Sequence, residues 1–217
     1  MNIKYLGHSS FLIKTKGASV VTDPFDPKMV GLKFPRTEAD IVTISHHHRD
    51  HNYLEGIKGE PLVVDWPGEF EKMNVRVYGF QNYHDKSKGQ ERGENILYKI
   101  DAENITVLHC GDLGVIPDQK FLDEIGDIDI LLIPVGGFFT INADEAKELA
   151  HMIEPSIIIP MHYNSKLLNQ ENFKNLLPVD DFLNKFGVEK KEPIDLLSIK
   201  KEDIVNEEEK IFVMKVS

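Results

Sequence analysis

Apolar positions come in short bursts along this chain, and the spacing within each burst predicts an element. "IKYLG", "SFLIKT" and "ASVVTD" are β-rich runs broken by Gly7 and Gly17, which predicts an opening antiparallel meander. "ADIVTI", "PLVV", "VRVYGF", "NILYKI" and "ITVLHC" read as further strands, with Gly, Pro and charged residues between them. From Pro117 the texture changes. "PDQKFLDEI" predicts a helix, "DILLIPV" a buried strand, and "NADEAKELAHMI" a helix that Asn142 caps and Glu145 completes as a capping box. Ala146, Leu149, Ala150 and Ile153 share one apolar face of that helix. "SIIIP" reads as a buried strand, "FKNLLPVDDFLNKF" as helical with a break at Pro178, and "KIFVMKV" as a closing strand. Strands with helices gathered in particular segments predict sheets covered by helices, an α/β (α+β) layered protein. With no linker, repeat or low-complexity tract, a single domain is expected over residues 1–217.

Composition adds bounds rather than a function. Hydrophobic residues make up 41% of the chain and charged residues 28%, as in an ordinary globular protein. At this length folding buries roughly 70% of the unfolded surface, so no covalent staple is required. The one cysteine, Cys110, permits no intramolecular disulfide and suits a reducing compartment. No apolar core of signal-peptide length precedes Lys14, and no apolar run reaches the roughly 18 residues of a membrane span. The expectation is a cytoplasmic chain with no membrane partner. A net charge of -11 disfavours nucleic acid as a partner, because affinity for phosphate chains comes largely from clustered Lys and Arg.

The histidines change this picture because they follow strands. "DIVTIS" leads into His46, "VRVYGF" is followed by His84, "ITVL" runs into His109 and then Asp112, and "SIIIP" runs into His162. Layered sheet proteins hold their sites on short loops at strand ends. In "SHHHRDH", His46 and His48 lie two apart and point the same way on extended backbone, while Asp50 and His51 fall on a turn facing a second point. Two metal ions about 3.5 to 4 Å apart would each need about three protein ligands and keep a position for water. This segment offers two for each ion; His84 and His162 can add an imidazole apiece, and Asp112 a bridging carboxylate.

These segments resemble the metallo-β-lactamase superfamily. "HHHRDH" contains the His-x-His-x-Asp-His pattern in His46, His48, Asp50 and His51, "HCGDLG" looks like the Gly-Asp bridging motif, and "IPMHY" looks like the late histidine motif. "GHSSFLI" and "VVTDPF" look like the opening of the compact branch related to the ascorbate-6-phosphate lactonase-like group. The resemblance implies a four-layer αββα sandwich with two divalent metal ions in a cleft at one edge of two facing sheets. His46, His48 and His84 would bind the first ion, Asp50, His51 and His162 the second, and Asp112 would bridge them. His109 is an alternative to His84, which stands further ahead of Asp112 than in shorter members. Zinc is the first choice for a mostly imidazole set, with manganese or iron also compatible. The chemistry implied is hydrolysis by a metal-bridging hydroxide, with Asp50 also placed to orient the water or pass a proton to the leaving group.

The expected substrate is a small ester, lactone or phosphodiester, anionic ones included. The alternatives are an RNA-processing or other nuclease of the superfamily, and a non-catalytic metal-binding or sensor protein. Only 66 positions separate His46 from Asp112 and 50 separate Asp112 from His162, which leaves no room for an inserted nucleic-acid clamp. Around this core, His47 is expected to point away from the ions. His8 either lines the cleft or caps a turn, and Asp23 either orients an imidazole from behind or serves a turn. Lys86 and Arg92 hold an anionic substrate if their loop folds over the cleft; a solvated mobile loop is the plainer reading. Tyr163 either aims its hydroxyl at a substrate or packs. Gly136 and Gly137 either bring backbone N–H groups to a ligand or form a tight turn. A homo-oligomer is left open.

Overall fold

The computed structural model describes residues 1–189, 192–204 and 209–217. Strands β1 (Asn2–Gly7), β2 (Ser10–Lys14) and β3 (Ser19–Thr22) form the expected antiparallel meander. Helix α1 (Pro27–Val30) follows, then β4 (Thr37–Glu38), β5 (Ile41–Thr43), β6 (Ile57–Lys58) and β7 (Leu62–Val64). Next come β8 (Gly68–Lys72), β9 (Val75–Tyr83), β10 (Glu94–Ala102), β11 (Ile105–His109), α2 (Gln119–Ile125) and β12 (Ile130–Pro134). The rest comprises α3 (Ala143–Ile153), β13 (Ile157–Met161), α4 (Gln170–Phe173), α5 (Val179–Lys185), β14 (Leu197–Ser198) and β15 (Lys210–Ile211). One sheet has the order β14-β1-β2-β3-β5-β7 and the other β15-β13-β12-β11-β10-β9-β8, while β4 and β6 pair separately.

Alternation along each strand decides where the layers form. Phe11 and Ile13 of β2, Val20 of β3 and Ile41 of β5 enter a core shared with the second sheet. Their neighbours Leu12, Val21 and Val42 face a smaller core containing Phe25, Leu32 and Phe173, supplied by α1, α4 and the loops beside them. Both faces of the central strands of the first sheet are thereby buried, which is why β2, β3 and β5 read as unbroken apolar runs. On the outer side of the second sheet, α3 and α5 pack together and reach β12 and β13, and Phe121 of α2 meets Phe80 of β9 with ring centroids 6.2 Å apart. The result is the αββα sandwich expected. Tyr98 of β10 crosses between the sheets, its hydroxyl lying 3.0 Å from the carbonyls of both Ile44 and Val64.

Three expectations need correction. Residues 174–177, read as helical, are not. Asn169 caps the one-turn α4 by accepting from the Glu171 N–H, and the following backbone pairs elsewhere, with Leu177 N–H donating to Gly136 and Asn164 N–H to Leu177. Pro178 favours extended backbone just before it. The closing strand is short because its backbone changes partners. Phe212 N–H still donates to Ile158 of β13, but Lys215 N–H donates to Ile194 and Ser217 N–H to Tyr5. Strand β8 was missed because "GEFEK" lies at a sheet edge, mostly exposed, and carries no apolar pattern. Among the described residues no helix is long and apolar enough to cross a membrane.

Candidate metal centre

The loops after β5, β9, β11 and β13 meet on the Asp112 carboxylate. Asp112 Oδ2 lies 3.2 Å from His162 Nε2, 3.3 Å from His51 Nε2, 3.4 Å from His84 Nε2 and 4.0 Å from His46 Nε2. Two ligand groups flank it. His46, His48 and His84 converge on one side, and Asp50, His51 and His162, with His8, on the other; within each group one ligand atom per residue lies within 4.8 Å of the rest. These are the two sets implied by the resemblance, with His8 added to the second. His109 stands apart. Its Nε2–H donates to the Ser9 carbonyl at 2.7 Å and its Nδ1 accepts from Gly111 N–H at 3.3 Å, so both ring nitrogens are engaged in holding loops.

The backbone around these side chains is held in place by unusual conformations. His8, Asp23 and His162 have φ of 56°, 38° and 51°, a left-handed region that costs a non-glycine residue about 1–3 kcal/mol. Such strain persists where the surroundings over-determine it, and here they do. The His8 carbonyl accepts from His162 N–H at 2.9 Å and from the Tyr5 hydroxyl at 2.7 Å. Gly111, with φ of 54°, has no room for a side chain: a Cβ would sit 2.4 Å from Asn95 Oδ1 and 2.5 Å from Ser45 Cβ. A Cβ on Gly114 would meet the His84 backbone at 2.2 Å, and one on Gly136 the His162 carbonyl at 2.2 Å. Gly136 therefore acts as a spacer for a ligand loop. Asn95 completes the frame, donating to the Cys110 carbonyl and accepting from Asp112 N–H, both at 2.9 Å.

Asp23 sets the orientation of two rings. Its carboxylate accepts from Ser45 N–H at 2.8 Å, from the Ser45 hydroxyl at 2.6 Å and from His51 Nδ1–H at 2.9 Å. Since the Ser45 hydrogen is spent on Asp23, its oxygen accepts from His46 Nδ1–H at 3.0 Å. With Nδ1 turned away in both rings, Nε2 is the atom each directs at the centre.

Do these residues suit a metal? The buried atoms His46 Nε2, His51 Nε2, His162 Nε2 and Asp112 Oδ1 have no hydrogen-bond partner, and orphans of this kind cost about 1–3 kcal/mol each unless something occupies them. Burial, reinforced by His51, pulls the His46 imidazole well below its ordinary value, and burial lowers His84 as well; metals bind the neutral ring. Burial alone would raise the Asp112 carboxyl, but the His162 and His51 rings outweigh it and hold it well below the usual carboxylate range. For His51 burial acts downward, and the Asp112 and Asp50 carboxylates reverse the sign and raise it well above an ordinary imidazole. The pocket calls for positive charge, nitrogen and oxygen donors are aimed inward, and divalent ions fit that need.

The peripheral residues divide. His8 lines the centre, its Nε2–H donating to Asp50 Oδ2 at 3.1 Å. Arg92 lines a cleft of about 510 Å3 over Asp112, together with Met29, Phe139 and Phe173, and its guanidinium stands 5.8 Å from the centroid of the Phe139 ring. Lys86 does not enter this cleft, because Glu145 at the start of α3 captures its ammonium. Tyr163 does not either: it packs on Tyr5, ring centroids 6.5 Å apart, and burial pushes its phenol up to about 12. His47 is exposed, 3.8 Å from Asp65. The loop after His84 winds around one residue, the buried Asp85 carboxylate accepting from the N–H groups of Ser87, Gly89, Glu91 and Arg92, while Lys86, Lys88, Gln90 and Glu91 stay exposed. Sequence reading missed Asp85, although Ser and Gly two and four residues on are an Asx-turn signal. It also missed Ser45 and Asn95, which carry no local signal.

A family model described as "Beta-lactamase superfamily domain" matches residues 2–162. The chain is 29% identical over 204 residues to a "UPF0173 metal-dependent hydrolase" of Desulforamulus reducens, covering 79% of this chain and 88% of that one. Among solved structures it is similar to a Thermotoga maritima protein assigned to the Zn-dependent hydrolases of the metallo-beta-lactamase superfamily, with 39% identity, a TM-score of 0.81 and coverage of 100% and 99%. A metallo hydrolase from Ignicoccus hospitalis shares the fold at 21% identity and a TM-score of 0.68, over 92% of this chain and 99% of that one. With the ligand motifs assembled at one edge of an αββα sandwich, the chain belongs to the metallo-beta-lactamase superfamily.

Proposed function

We propose that the protein is a metal-dependent hydrolase of small anionic esters, lactones or phosphodiesters, working with two divalent ions, zinc in the first instance. The observation that carries this reading is the convergence of unpartnered donor atoms from His46, His51, His162 and Asp112 on one buried point. His46, His48 and His84 would hold one ion and Asp50, His51 and His162 the other, with Asp112 between them. When bound, such a pair supplies a nucleophile at neutral pH and polarises the bond under attack. The chain's own residues do the rest. Asp50, fixed by the His8 Nε2–H, presents a carboxylate to the cleft, where it accepts a proton or returns one to the leaving group. Arg92 at the cleft wall supports an anionic group of the substrate. Phe139 and Phe173 narrow the cleft and exclude water.

A cleft of about 510 Å3 suits a small molecule, and the overall acidity of the chain argues against a nucleic-acid backbone. The test is a panel of lactone, phosphodiester, thioester and β-lactam substrates run on metal-loaded protein and on Asp112→Asn, with metal content measured in both. The reading expects turnover in at least one class and its loss in the variant by about 100-fold or more, the scale on which a misplaced reacting group acts. Unchanged turnover in Asp112→Asn would overturn the bridged two-ion arrangement. No turnover in any class with metal fully bound would favour a binding or sensor role.

A further inference from the structure

Beside the Asp112 cleft lies a second groove of about 560 Å3, walled by Trp66 and Pro67 with Ile96 between strand ends. His48 and Arg92 line both hollows and His46 lines this one, so the groove opens directly onto the candidate metal centre. Trp66 is the only tryptophan in the chain, and 71% of it is exposed. A large aromatic left in water at the mouth of a polar site is the arrangement of a binding anchor.

The ring is presented from a fixed base. Gly79 of β9 lies under the Trp66–Pro67 backbone, and a Cβ there would come within 2.8 Å of the Trp66 carbonyl and 3.0 Å of Pro67 Cα. On one side Gly68 pairs with Gly79 in the β8–β9 ladder. On the other, the Val64 carbonyl is held by the Tyr98 hydroxyl at 3.0 Å. The position of Trp66 is therefore set by the sheet, and its exposure is not the excursion of a loose loop.

We propose that Trp66, Pro67 and Ile96 form a subsite for a planar, apolar substituent of the substrate, whose reacting anionic group lies at the metal centre with Arg92 at the junction. This inference rests on the hydrolase reading above and narrows its substrate to anions that carry an aromatic or similarly flat apolar group. A second copy of the chain is the competing occupant. The core of an interface between copies is depleted of Asp and Glu, whereas Asp65 and Glu94 line this groove.

Two inert ligands differing only in a ring, 2-phenylethylphosphonate and ethylphosphonate, test it on metal-loaded protein by titration calorimetry, with the emission of the lone Trp66 followed in parallel. The aryl ligand is expected to bind at least about tenfold more tightly, in line with aromatic pairing, and to shift Trp66 emission saturably. In Trp66→Ala the two affinities should come within about twofold of each other at unchanged metal content, with Trp66→Phe keeping part of the preference. Equal affinities in the wild type, or a preference that Trp66→Ala retains, would overturn the subsite alone. So would ligand-free emission that follows protein concentration alongside dimer formation in sedimentation. Binding of neither phosphonate would overturn the anionic-substrate reading and the subsite with it.

Discussion

At Asp23 a carboxylate, which can only accept hydrogen bonds, faces three donors whose protons must then point toward it. His51 is fixed directly and His46 through the Ser45 hydroxyl. Replacing it with Asn keeps the shape but brings an amide N–H against the same donors. Asp23→Asn should lower metal affinity by about 10- to 100-fold, the usual weight of a group behind a ligand, at unchanged secondary structure; chelator competition reads it, and an unchanged affinity would refute the role. Gly111→Ala is a test of the frame. With φ of 54° and a Cβ 2.4 Å from Asn95 Oδ1, it should cost about 1–3 kcal/mol and lower Tm measurably in a thermal melt. At this scale the histidines and Asp112 were legible because metal-type residues follow buried strands. Ser45 and Asn95 were not, since a serine or asparagine acquires its role only when distant loops close on it. The choice between His84 and His109 likewise needed the fold, which ties both His109 nitrogens into loop contacts.

The elements carry the site through their ends. β5, β11, β12 and β13 are short, fully or largely buried strands that, with the half-buried β7, pair in parallel and so fix the register of the loops that follow, and Tyr98 links the two sheets beneath the His46 loop by reaching the Ile44 and Val64 carbonyls. Tyr98→Phe removes that link and leaves buried carbonyls less satisfied. It should destabilise by about 0.5–1.5 kcal/mol, seen as a shift in the denaturation midpoint without a change in slope. Apolar strands and the capped α3 could be read from the sequence because period and capping chemistry are local. The edge strand β8, the one-turn α4 and the early end of β15 could not, because the backbone there is settled by segments that come from elsewhere in the chain.

Across the whole molecule, two sheets share one core and the polar exception to that core is concentrated at a single edge. Unpartnered donors buried there should make the fold depend on the ions it binds. At free metal about 100 times Kd, each ion adds roughly 2.7 kcal/mol, so stripping both should lower Tm by roughly 10 to 20 °C; an unchanged melt would argue against occupancy of the site. The central claim is that one buried carboxylate joins two imidazole-rich sites. The most direct measurement is an anomalous-scattering map at the zinc edge from crystals of zinc-loaded protein. The account predicts two peaks about 3.5 to 4 Å apart, one against His46, His48 and His84, the other against Asp50, His51 and His162, with Asp112 between. A single peak, or two peaks not spanned by Asp112, would contradict it.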